Sequence, residues 1–152
     1  MAQNKIKEQL SEKCHDYLNI RLDRLLAEVK GLKVSSFEET KSSAGDKFET
    51  GRAMIQQEMD KLDRQISELK NQKANLDYLD ILEIRDSVQN GSLVYTNQGN
   101  FLIAIAAGKF EIDDVSFYAI SPESPIAMSM KGKVAGETLK FLNKDYVIES
   151  LS

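Results

Sequence analysis

Two carboxylates, Asp46 and Glu49, stand three residues apart in a segment rich in Ser, Thr, Glu, Lys and Gly, with Lys47 between them and Arg52 just beyond. At that spacing both acids fall on one side of a starting helical turn. Their plainest use is to complement the dipole of a helix that begins there. Lys47 and Arg52 suit either solvation of the segment or contact with nucleic-acid phosphates. Other chemistry is scarce. Cys14 and His15 are the only residues of their types, so a disulfide framework and a four-ligand Cys/His zinc site are excluded. As neighbours in a helical stretch they point about 100° apart, which also argues against a Cys–His catalytic pair. Cys14 reads as a semi-buried helix residue. Met54, Met59, Met128 and Met130 read as packing residues.

The elements that must position the acids are helices. Between residues 6 and 32 there is no proline, and Leu18, Leu22, Leu25, Val29 and Leu32 recur at alternating steps of four and three. This is a heptad seam. Ile6, Leu10, Cys14 and Tyr17 extend it less regularly toward the N-terminus. The pattern is lost from 34 to 51, which reads as a connection. It then returns with Ile55, Met59, Leu62, Ile66, Leu69 and Leu76, Lys73 filling the skipped place. Gly51 costs about 1 kcal/mol relative to Ala in a helix, so the connection is expected to reach it. Two seams joined by one loop should close antiparallel, each arm being about 40 Å long. The expected hairpin covers residues 1–82, with its tip at about 34–52.

Beyond residue 82 the texture changes to short runs separated by turn residues. Residues 92–96 and 101–107 read as strands joined by a tight turn. Residues 110–112 and 115–120 give two more. Ser124 followed by Pro125 opens a short helix over 126–130, since Ser suits the N-cap and Pro the first helical position. Residues 139–142 and 146–151 form a closing hairpin around Asn143. Residues 83–152 are thus expected to be an antiparallel sheet with one short helix, making the whole chain α+β.

The 152 residues, 41% of them hydrophobic, are enough for a folded protein with a modest core. A net charge of −4, with the acid excess mostly in the second half, argues against autonomous binding of duplex DNA, which needs a basic surface. The N-terminus has no apolar core of signal-peptide length, and no run approaches the roughly 20 apolar residues of a membrane span. A soluble, cytoplasmic protein is expected.

As a whole the sequence resembles the Gre family of bacterial transcript-cleavage factors. That family's tip reads Gly-Asp-Leu-Ser-Glu-Asn-Ala-Glu-Tyr, and here Gly45-Asp-Lys-Phe-Glu-Thr-Gly-Arg52 aligns its first two acids with Asp46 and Glu49. Far downstream, the run from Ile120 to Lys133, containing Ser124, Pro125 and Ile126, is similar to the family's Ser-Pro segment that ends in Gly-Lys. Gly136 and Glu137 match a Gly-Glu pair near its last hairpin. The resemblance implies an FKBP-like fold for the C-terminal domain. It implies a monomeric partner of RNA polymerase, whose hairpin enters the secondary channel so that Asp46 and Glu49 help hold a Mg²⁺ shared with the polymerase. Cleavage of backtracked RNA would follow, with no cofactor of the factor's own. Two carboxylates suit Mg²⁺, which keeps several waters and is usually shared with phosphates. Lys47 and Arg52 would face the nascent RNA, and the Ser124–Ile126 edge would dock on the polymerase. Thr50, Gly51 and Arg52 depart from the family by removing an acid and an aromatic and adding a cation.

Three other readings stand beside this one. A Gre-like regulator could occupy the channel without stimulating cleavage, a structural coiled coil could simply dimerise, and the FKBP-like part could be an isomerase or chaperone. The aromatics Tyr95, Phe101, Phe110, Phe117, Tyr118, Phe141 and Tyr146 read mostly as core, which disfavours the last.

Overall fold

The computed structural model describes the backbone of residues 2–41 and 45–152 and the side chains of residues 4–35 and 50–152. Two long helices come first, α1 (Ala2–Lys41, 40 residues) and α2 (Gly45–Tyr78, 34 residues). At 1.5 Å per residue they are roughly 60 and 50 Å long. Glu28, Gly31 and Leu32 of α1 line one groove together with Glu58 and Leu62 of α2, as in an antiparallel hairpin. The expected connection over 34–51 is corrected: α1 continues to Lys41, and α2 contains Gly51. Glu, Lys and Ser are compatible with helix, and the stretch contains no proline. What the sequence loses there is the apolar stripe, not the helix.

By contact the chain divides into two compact units. One comprises Met1–Tyr17 with Asn75–Ser152, the other Leu18–Ala74. In the second unit the expected seam is the covered face: Leu62 is 3% exposed, Ile66 and Leu69 are buried, and Leu22, Leu25, Val29, Leu32, Ile55 and Met59 are half-buried.

In the first unit, six strands carry the fold: β1 (Leu93–Thr96), β2 (Gly99–Ile103), β3 (Gly108–Ile112), β4 (Val115–Ile120), β5 (Thr138–Phe141) and β6 (Lys144–Leu151). A short helix, α3 (Pro125–Met130), separates β4 from β5. The order across the sheet is β3-β4-β2-β1-β6-β5. The α+β class is as expected, but the sheet is mixed rather than purely antiparallel, because β2 pairs parallel with β4. The β3–β4 hairpin folds back so that β4, not β3, lies beside β2. Phe101, Leu102 and Ile103 are buried in succession, the pattern of a strand covered on both faces.

Val88, Val94, Phe101, Ile103, Tyr146 and Ile148 form a hydrophobic cluster together with Ala127 and Met130 of α3. Two of the hairpins turn on residues with left-handed backbone, Asp113 and Asp114 in one, Leu142 and Asn143 in the other. Two such central residues match the twist of the flanking strands. Asp and Asn tolerate this conformation, whereas Leu142, at φ +50°, does so against its Cβ.

Candidate functional site

The start of α2 at Gly45 places Asp46 in the first turn of that helix and Glu49 at the start of the second, at positions sharing one face. The side chains of Asp46, Lys47 and Glu49 lie outside the described residues. Arg52, farther along α2, is exposed and engaged with a neighbour. As donors, two carboxylates one turn apart fit a hard, oxygen-seeking divalent cation but are too few to enclose it. Among the described residues, no group of three or more His, Cys, Asp or Glu is arranged to hold a metal.

The second predicted region is built around Ser124. Its backbone is extended (φ −64°, ψ 147°), and its Oγ accepts from the Ala127 N–H at 3.4 Å while donating to the Ser121 carbonyl at 2.7 Å. Ser124 is thus a true N-cap, its hydroxyl occupied in both directions. Pro125 takes the first helical position and is exposed. Ile126 is half-buried against the cluster that holds Ala127 and Met130. Of this edge, Pro125 and Met128, the latter 63% exposed, are what a partner would meet.

A third cluster escaped the sequence reading. Lys7 is fully buried, and its Nζ donates to the Glu83 carbonyl at 3.0 Å. Arg85 donates to the same carbonyl at 2.9 Å through one terminal nitrogen. Through the other it reaches the Asp80 carbonyl at 2.7 Å and the Glu83 carboxylate at 3.4 Å. The guanidinium lies so close to Gly91 that a Cβ there would stand 2.9 Å from it. Burial above all, and then the Arg85 charge, lower the Lys7 ammonium from 10.5 to about 8, against the opposing pull of Asp80 and Glu83. The available signal was spacing. Lys7, Leu10, Cys14 and Leu18 follow steps of three, four and four and are all buried, while Ile6 is only half-buried.

Cys14, expected to be semi-buried, is wholly covered, and burial pushes its thiol up to about 12. His15 lies 3.6 Å from the Asp77 carboxylate. Phe101, Phe117 and Tyr146 are core residues as the sequence suggested, whereas Tyr118 is 40% exposed. No helix among the described residues is long and apolar enough to cross a membrane.

No family model matches the sequence, nor does any curated protein. Among solved structures, the GreA factor homolog 1 (Gfh1) of Thermus thermophilus is similar at 17% identity, over 86% of this chain and 94% of that one, with a TM-score of 0.33. A likeness that shallow says nothing of partner or activity.

Proposed function

We propose that this chain is a Gre-type accessory factor whose helical hairpin enters the secondary channel of RNA polymerase and presents Asp46 and Glu49 at the catalytic centre. The observation that carries the reading is where the tip motif falls. The Gly45–Arg52 sequence begins where α2 begins, with three residues between it and the end of α1, so Asp46 lies in the first turn of α2 and Glu49 one turn on, at the N-terminal end of that helix. A hairpin followed by an α+β unit with a Ser-Pro-capped helix adds the matching order of parts.

In this reading Asp46 and Glu49 hold and orient the water that attacks a backtracked transcript. A Mg²⁺ shared with the polymerase would supply the Lewis acidity and the lowered water pKa. Lys47 and Arg52 lie toward the phosphates of the nascent RNA, and Pro125 with its neighbours forms part of the docking edge. The factor is not itself an enzyme. It completes the polymerase's own site in the cytoplasm and acts as a monomer.

A stalled, backtracked elongation complex tests this. Wild-type protein should shorten the transcript, and Asp46→Asn should not. Thr50, Gly51 and Arg52 favour a second reading, in which the hairpin occupies the channel without promoting cleavage. That reading is supported if neither protein shortens the transcript while both change the elongation rate. Failure of the wild-type protein to bind polymerase at all would remove both.

A further inference from the structure

Within the Leu18–Ala74 unit a surface groove of about 340 Å³ runs between the two helices. Leu32 and Leu62 provide an apolar floor, and Leu62 is almost fully covered. Gly31 opens the wall: a Cβ added there would meet nothing within 4 Å. Glu28 from α1 and Glu58 from α2 line the same groove. Flanking positions of paired helices ordinarily bring opposite charges together. Here two glutamates share one groove, and among the described residues neither forms an ion pair.

We infer that this groove is a docking site for an arginine side chain presented by a partner protein. The complementarity is one of charge and shape. An arginine has an apolar stem to lie along Leu32 and Leu62, and a planar, weakly hydrated guanidinium whose several donors suit a groove lined by two carboxylates. A lysine offers only a compact, strongly hydrated point charge. A divalent cation would use the acids but leave the apolar floor without a role. The inference is independent of the polymerase reading, because it concerns Glu28 and Glu58 and makes no use of Asp46 or Glu49.

Backbone amide and methyl NMR spectra of the full-length protein test it, with acetyl-arginine methylamide as the probe and acetyl-citrulline methylamide as its uncharged isostere. The arginine probe should produce saturable shifts at Gly31, Leu32 and Leu62 in roughly the millimolar range, and citrulline should bind at least about tenfold more weakly. Glu28→Gln and Glu58→Gln should each weaken binding several-fold and together abolish it. Gly31→Leu should fill the groove and abolish binding while leaving the helical circular dichroism unchanged. Equal binding of citrulline, equal binding of acetyl-lysine methylamide, saturation of the same signals by Mg²⁺ alone, or the absence of saturable shifts would each overturn the assignment.

Discussion

In the unit that holds the sheet, Leu10, Leu93, Leu102, Met130 and Ile148 are wholly covered, and they come from α1, β1, β2, α3 and β6. In the hairpin unit, among the described residues, only Leu18 and Leu62 come close to that, Ile66 and Leu69 are each 8% exposed, and Leu22, Leu25, Val29 and Leu32 stay half-buried. The difference is geometric. A sheet with a helix on it encloses side chains from several directions, whereas two helices share a single stripe whose margins remain wet. The first arrangement gives a core closed on several sides. The second depends on helix propensity and one seam. It also leaves interhelical grooves such as the one at Gly31 open to partners.

The largest expected effect follows directly. Phe117, 1% exposed and in an edge-to-face contact with Tyr95 at 6.0 Å, has no room to relax. Phe117→Ala should cost about 3–5 kcal/mol, and Leu62→Ala in the hairpin only about 2 kcal/mol, the lower end for its type, because water can reach the margin of its seam. Urea titration combined with residue-resolved hydrogen exchange separates the two units. The comparison breaks if Leu62→Ala costs as much as Phe117→Ala.

Lys7 sharpens the contrast through pH. Its folded-state pKa of about 8 lies below the ordinary 10.5, so the folded chain holds fewer protons than the unfolded one between those values. Stability therefore rises with pH across that window, and the penalty is complete below about pH 8. The shift from 10.5 to about 8 corresponds to a penalty of about 3 kcal/mol at most. Cys14 works the other way, its raised pKa of about 12 removing stability as pH climbs above its ordinary 9.0. Tyr95, also raised from 10.0 by burial, acts in the same direction as Cys14. The interval from about pH 8 to 9 thus belongs to Lys7. Lys7→Met removes the buried charge, and the Glu83 carbonyl keeps the Arg85 donor. We expect a gain of about 1–3 kcal/mol at pH 7 and loss of the slope between pH 8 and 9. An unchanged slope in the Met variant would show that its source is another group.

How much of this was legible in the sequence depended on whether the signal was local. The seam from Leu18 to Leu32, strand β4 and the Ser124 cap with Pro125 behind it were read from spacing and residue type, because neighbours in sequence decide them. The helical backbone from 34 to 41 was missed because a helix that has lost its apolar stripe looks like a loop. The parallel pairing of β2 with β4 was missed because pairing partners are distant in sequence, and consecutive strands are the default neighbours. Lys7 was missed because a lysine on an apolar seam defies the residue-type rule, although its spacing to Leu10 and Cys14 pointed inward. For the candidate site, the three-residue spacing of Asp46 and Glu49 suggested a starting helical turn, but the lost stripe put both in the expected connection rather than in α2, and the groove between Glu28 and Glu58 needed both helices together.

Two smaller effects lie wholly in the sheet-containing unit and should leave exchange in the hairpin unit untouched. Ser124→Ala removes the hydroxyl that accepts from Ala127 N–H and donates to the Ser121 carbonyl, and should cost about 1 kcal/mol. Amides of α3 should then exchange faster, beginning at Ala127. Leu142 offers the reverse sign. It is 80% exposed and sits at φ +50° in the two-residue turn between β5 and β6. Its side chain therefore gives little packing while its Cβ strains the turn. Leu142→Asn should stabilise by up to about 1 kcal/mol, since Asn visits this conformation readily and suits the first place of such a turn. Slower exchange at the β5–β6 hairpin in this variant would show that the strain is only structural. A loss of stability would mean that Leu142 packs in solution, and that this edge of the sheet is more enclosed than its exposure indicates.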